Sequence, residues 1–192
     1  IRGGPDGDAA VMDVRTGLPA VLPGPAPNDG DKFPPNKTYY EIPMAIQDRS
    51  FNDDGSLVVN PRGRASTGFL GETIVVNGTV GPYREVTTEA VRLRLLNASN
   101  ARFYDFAVSD GREFSIVAGD GGLLSHPVTG DHVQLSPGER VEVVVRFTPG
   151  ETVSLISRPP DLGHGIGTSD RFGGGTFDIV EFRAAAQLSP SP

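Results

Sequence analysis

From residue 38 onward apolar and polar side chains alternate with a period of two, and turn-forming pairs break the pattern at short intervals. That periodicity predicts strands, because successive side chains of an extended chain point to opposite faces. Tyr40, Ile42, Met44 and Ile46 fall on one face, and Pro43, having no N–H to give a ladder, is expected to hold that strand at a sheet edge. Asn52-Asp53-Asp54-Gly55 has the side-chain acceptors and the glycine of a tight reversal. Thr73-Ile74-Val75-Val76 runs into Asn77-Gly78, the pair that a type I′ hairpin demands because both central residues need positive φ.

The same reading continues towards the C-terminus. Val91, Leu93 and Leu95 alternate with Arg92 and Arg94, which predicts one buried and one charged face. Tyr104, Phe106 and Val108 repeat the alternation up to Asp110-Gly111, and Phe114, Ile116 and Ala118 lead into the turn Gly119-Asp120-Gly121-Gly122. Val133 and Leu135 lead into Pro137-Gly138, Val141, Val143, Val145 and Phe147 form the most apolar strand, and Val153 and Leu155 follow. After a glycine-rich loop around residues 163–175, Phe177 and Ile179 close the pattern. Many short strands, no long helical stretch and no fixed-period repeat predict an all-β chain, a Greek-key β-sandwich or barrel.

Composition supports this and narrows the function. The 25 glycines and 17 prolines among 192 residues disfavour helix interiors. Residues 1–37 carry Gly, Pro and Asp without hydrophobic period and are expected to be an irregular connecting arm, with Val11–Val14 as its one candidate edge strand. Residues 38–183 are the expected domain, and 184–192, ending in a Ser/Pro tail, the expected linker, so the chain reads as a piece cut from a longer one. A net charge of −7 argues against a nucleic-acid partner, since phosphate neutralisation needs Lys and Arg in excess. No stretch approaches the roughly 20 consecutive apolar residues of a membrane-spanning helix.

Four segments in order resemble the middle domain of the multicopper oxidases, as in bacterial laccases, bilirubin oxidases and phenoxazinone synthase. They are FLGETIVVNGTVGPY at 69–83, VRLRLLNASNARFY at 91–104, GDGGLL at 119–124 and LSPGERVEVVVRF at 135–147; IPMAIQDRSFNDDGSL at 42–57 is similar to that domain's first strand and turn. The resemblance implies a cupredoxin-like fold and partners in the first and third cupredoxin domains of the same parent chain. It also implies copper in the parent and a periplasmic, secreted or spore-associated setting. Gly81 departs from the family, which commonly has Trp there, and so does the length of the arm before Lys37.

The chain's own residues do not supply that copper chemistry. A blue-copper site needs a Cys thiolate with two His, and the chain has no Cys. His126, His132 and His164 stand apart, without the His-x-His pairs of the family's three-copper cluster, and are expected at surfaces or turns. Asp131, His132 and Ser136 lack a nucleophile elbow, and Glu139 and Glu142 lie beside arginines as surface pairs do. Residues 52–56 lack the distal Glu of a calcium loop, and Gly119–Gly122 and Gly173–Gly175 open no helix that could hold a phosphate. Asn36, Asn77 and Asn97 stand in glycosylation-type triplets, but turn and Asx roles account for Asn77, Asn97 and Asn100.

No catalytic or metal residue is therefore expected here. The expected structural and interdomain set is Asn77, Gly78, Pro82 and Tyr83; Arg92, Arg94, Asn97, Ser99, Asn100 and Arg102; Asp120, Gly121 and Gly122; and Pro137, Gly138 and Arg140. The guanidinium groups would tie turns together and meet the neighbouring domains. The function implied is that of a copper-free middle domain that spaces two copper-bearing ones, the parent passing electrons from phenolic or similar substrates to oxygen. Two alternatives stay open: a self-standing Ig-like binding module, and a domain of a copper-free periplasmic relative of the cell-division type.

Overall fold

The computed structural model describes residues 41–58, 68–163 and 175–191. Val11–Val14, Tyr40, His164 and the glycines at 173 and 174 lie outside them. The described residues contain twelve strands and no helix. They are β1 (Glu41–Arg49), β2 (Thr73–Val76), β3 (Thr79–Val80), β4 (Tyr83–Thr88), β5 (Ala90–Asn97), β6 (Tyr104–Val108), β7 (Phe114–Gly119), β8 (Gly122–Gly130), β9 (His132–Leu135), β10 (Arg140–Arg146), β11 (Thr152–Arg158) and β12 (Phe177–Ser189).

Two sheets stack face to face. One has seven strands in the order β3-β2-β1-β5-β10-β7-β8, the other five in the order β4-β12-β11-β6-β9. Most neighbours are antiparallel, but β1 runs parallel to β5 and β12 parallel to β4. The chain switches sheets repeatedly, as between β3 and β4 or β5 and β6, so strands close in sequence are often distant in a sheet. The inner faces meet in one core that includes Met44, Ile46, Leu93, Leu95, Tyr104, Phe106, Leu155 and Phe182.

The alternating segments become strands as expected. β1, β5, β10 and β11 each bury every second residue. Asn77 (φ 50°) and Gly78 (φ 90°) form the predicted hairpin turn, and Gly55 (φ 80°) reverses the chain so that Phe51 meets Leu57.

Four features differ from expectation. β1 is an interior strand, between β2 and β5, despite Pro43. β2 reaches only residues 46–49 of β1, and beyond it the Asn77 side chain takes over: its Nδ2 donates to the Pro43 carbonyl (3.0 Å) and its Oδ1 accepts from the Ala45 N–H (2.8 Å). One side-chain amide thus satisfies a carbonyl and an N–H of β1 beyond the end of β2, as a neighbouring backbone would. Second, β6 is buried at all five positions, Asp105 included: it is flanked by β11 and the edge strand β9, and the Arg158 guanidinium covers Asp105 (2.9 Å).

Third, residues read as a linker belong to the sandwich. β12 continues through Ser189, with Ala184 opposite Val86 and Ser189 opposite Thr88, Leu188 packs against the core, and Ser191 accepts the Ala90 N–H through its Oγ (2.8 Å). Fourth, β4 and β8 are strands that the periodicity did not single out. β8 is exposed along nearly its whole length, so no apolar-in, polar-out signal marks it.

Candidate functional site

A buried ion pair organises one end of the sandwich. Continuing the in-phase run Ile42, Met44, Ile46 places Asp48 on the core face of β1, where it is fully buried. A carboxylate there needs a cation and hydrogen bonds, since burying an isolated charge is very costly. Arg102, 4% exposed, supplies both: its Nε lies 3.0 Å from Asp48 Oδ2, its Nη2 donates to the Gly71 carbonyl (2.7 Å), and its guanidinium covers the Phe177 ring at 4.5 Å. The Gly71 N–H donates to the same Asp48 oxygen (2.7 Å).

The motif at 97–100 is wired into this node. Asn97 Nδ2 donates to the carbonyls of Arg102 (2.7 Å) and Leu135 (3.0 Å), while its Oδ1 accepts the Ser99 N–H (3.0 Å). Ser99 Oγ accepts from the Asp48 N–H (3.1 Å) and shares a hydrogen bond with the Tyr104 hydroxyl (2.9 Å). Asn100 Oδ1 accepts the Phe69 N–H (2.9 Å). Burial pushes the Tyr104 hydroxyl well above its ordinary value, so it stays protonated. These are Asx-type and core-satisfying bonds with no nucleophile aimed at open space.

Other expected residues have separate roles. Arg92 and Arg94 share Glu142 across β5 and β10, and Arg94 also approaches Glu41 (3.5 Å), on the outer face of the seven-stranded sheet. Exposed Arg140 pairs with Asp120 (2.9 Å) and donates to the Gly138 carbonyl (3.2 Å), tying the Asp120-Gly121 turn to the Pro137-Gly138 turn; Gly122 (φ 109°) and Gly138 (φ 88°) need glycine there. The buried Pro82 carbonyl accepts the Glu181 N–H (3.1 Å), and Tyr83 lies under the Arg183 guanidinium at 3.9 Å. Gly81 has φ 59° and open space where a side chain would stand, so the position usually held by Trp faces outward.

Sequence reasoning named Arg102 but missed its partner Asp48, although a charged residue in phase with three core residues was the available signal. It also missed a second node. Arg112 binds Glu151 through two parallel bonds of 2.7 Å, adds Asp110 Oδ2 (2.5 Å) and donates to the Arg146 carbonyl (2.7 Å), fastening the β6–β7 turn to the β10–β11 turn.

Hydrogen bonds from Arg112, helped by Thr148, hold the Glu151 carboxyl down at about 2, below its ordinary 4.5. Because the folded value lies below the unfolded one, this stabilisation is complete above about pH 4.5 and is lost as pH falls towards 2. Glu151→Gln is therefore expected to lower the unfolding free energy at neutral pH by about 1–2 kcal/mol, allowing for partial solvent screening. It should also flatten the decline below pH 4.5, as read from urea midpoints across a pH series.

The described residues do not assemble a copper site. His126 bonds to Ser125 on β8, in the seven-stranded sheet, and His132 to Asp131 (2.7 Å) on β9, in the five-stranded one; both are exposed. Among the described residues no group of three or more His, Cys, Asp or Glu could hold a metal ion. A cleft of about 420 Å³ beside Arg112, Phe114, Thr129, Arg146 and Phe147 has no His or Cys in its lining. No helix among the described residues is long and apolar enough to cross a membrane.

Comparison with known proteins agrees with this architecture. The family model described as multicopper oxidase matches residues 37–153. Among curated proteins, the cell division protein FtsP of Sodalis glossinidius is 40% identical over 169 residues, covering 88% of this chain and 32% of that protein. FtsP of Rahnella sp. is 45% identical over 134 residues, 70% of this chain and 27% of that protein. Among solved structures, a variant of the McoA multicopper oxidase from Aquifex aeolicus superposes with a TM-score of 0.67 at 34% identity, over 80% of this chain and 33% of that one. The laccase-like multicopper oxidase CueO from Ochrobactrum sp. gives 0.66 at 32%, with the same coverage. The chain thus spans about a third of the length of these relatives.

Proposed function

This chain belongs to the multicopper oxidase family, and from that premise we propose that it is a copper-free structural domain, which spaces and supports the flanking domains of a longer protein and does no chemistry itself. The carrying observation is the donor set: no Cys anywhere in the chain, and described histidines that are exposed and on different sheets. Without a thiolate and converging imidazoles, neither the blue-copper centre nor an oxygen-reducing cluster can assemble from these residues. What the chain has in their place is rigidity, in two ion-paired nodes that hold loops at fixed distances.

Two readings of the parent remain, each with its support. Relatives named as cell division proteins are 40–45% identical, against 34% and 32% for the solved oxidases. The greater identity favours a parent of the FtsP type, acting as a scaffold in the periplasm. The oxidase reading rests on the family match and on the shared fold. The flanking sequence separates them: His-x-His pairs before this region and a His-Cys-His run after it belong to an oxidase, and their absence to the scaffold.

The proposal for the chain itself is tested by titrating it with Cu(II) while following visible absorption and phenol oxidation. Weak, non-stoichiometric binding, without an intense copper–thiolate band and without turnover, is the expected result. Tight one-to-one binding with turnover would overturn it.

A further inference from the structure

The seven-stranded sheet carries one strand more than its core can cover. β8 is hydrogen-bonded to β7 alone, at the sheet's edge, and every residue from Gly122 to Thr129 is exposed. Its register shows which way its side chains point. Leu123 stands opposite Ala118 and Val128 opposite Ile116, and directly opposed residues share a face of the sheet. Ala118 is buried and Ile116 packs against the core. Leu123 and Val128 therefore lie on the core-side face, yet they are 73% and 47% exposed. Among the described residues the sheet overhangs its partner, and none covers the strip that continues the core.

The strand has Pro127 and a bulge to blunt its hydrogen-bonding edge, but no charge guards its face. Edge strands are commonly guarded by charged side chains, but residues 122–130 (GLLSHPVTG) contain no Asp, Glu, Lys or Arg in a chain of net charge −7. Leu124 to Pro127 all stand opposite Val117, so this stretch bulges from the ladder and presents Leu124, itself 42% exposed, beside the strip. An uncharged, partly apolar surface gives phosphates or a polybasic segment nothing to bind. It suits another protein surface of the same kind.

We infer that the core-side face of β8, with Leu123, Leu124 and Val128 as its apolar contacts, is the docking seam for a flanking domain of the same polypeptide. The relatives that this chain matches are about two and a half times its length. A tethered domain meets this strip at an effective concentration of the order of millimolar, which a second copy in dilute solution does not reach. The inference rests on the spacer reading and adds to it the strand and the residues where one seam lies.

The test uses the full-length gene product carrying Leu123→Cys, with Val128→Cys as a second probe and Asp53→Cys, at an exposed position of the turn after β1, as reference. Alkylation by N-ethylmaleimide is followed peptide by peptide by mass spectrometry. Leu123 and Val128 are both exposed within this domain, so neither change disturbs its core. In the intact protein the cysteines at 123 and 128 should react at least about tenfold more slowly than the one at 53. Equal rates in a protein that does carry flanking domains would overturn the seam and leave the spacer reading standing. Protection that grows with protein concentration would assign the strip to a second copy and also overturn it. A gene product without flanking domains would defeat the spacer reading itself, and the seam with it.

Discussion

Replacing Arg102 with methionine is expected to lower the unfolding free energy by about 3–5 kcal/mol, the loss typical when one partner of a buried ion pair is removed and the other keeps its charge. Asp48 is fully buried and its Oδ2 accepts from both Arg102 and the Gly71 N–H. Methionine keeps much of the side-chain volume and can still pack on Phe177, so the loss would report the charge and the bond to the Gly71 carbonyl more than a cavity. Arg102→Lys should recover only part of it, because an ammonium cannot reach Asp48 and the Gly71 carbonyl as a planar fork does. In the double variant Asp48→Asn/Arg102→Met the two losses should fall well short of adding, since both changes remove one interaction. Urea denaturation with both midpoint and slope recorded is the measurement. A loss below about 1 kcal/mol for Arg102→Met would mean that the pair is not a structural support.

How much of this was legible beforehand depended on whether the signal was local. Strands that bury alternate residues, such as β5 and β10, announced themselves, because one face of each meets the core and the other meets water. The turns at Asn77-Gly78 and Pro137-Gly138 were equally plain, since their backbone geometry restricts the residue types. Pro43 misled because its consequence depends on a residue 34 positions away: the Asn77 amide satisfies the Pro43 carbonyl and the Ala45 N–H where β2 ends, while β5 pairs along the other side, so the strand can be interior. β8 gave no period because both its faces are exposed, and residues 184–189 read as a tail because Ala, Gln and Ser carry no strand signal until β4 lies beside them.

The candidate residues divide along the same line. Those whose role is a turn, such as Gly78 and Gly138, could be assigned from the chain alone. Those whose role is a partnership could be named but not paired. Arg102, in the connection between β5 and β6, stood out as a charge in a motif, while Asp48 lies 54 residues earlier, on β1. Only the phase of β1 hinted that its fourth inward residue was a carboxylate in need of a cation. Arg112 and Glu151 carried no hint, because two loops meet there through a topology that no local pattern encodes.

Gly71→Ala should be as damaging as the loss of Arg102, for a reason that sharpens the role of this node. A Cβ built on Gly71 would lie 2.6 Å from the Cα of Arg49 and closer still to its amide nitrogen, and these backbone atoms have nowhere to move within a paired strand. Gly71 is also held from both sides: its N–H by Asp48 and its carbonyl by Arg102, each at 2.7 Å. Displacing the segment to relieve the clash would stretch two charge-assisted bonds at once, so the steric and electrostatic losses combine to about 3–5 kcal/mol. Gly119→Ala is the control, since a Cβ there meets nothing within 4 Å and the backbone is not in the left-handed region. It is expected to be neutral or stabilising by up to about 1 kcal/mol, through reduced freedom of the unfolded chain. Near-equal urea midpoints for the two variants would show that the close approach of residues 49 and 71 is not required. A large loss confined to Gly71→Ala, and short of additive when combined with Arg102→Met, would show that the ion pair and the glycine act as one support, each holding the other's geometry in place.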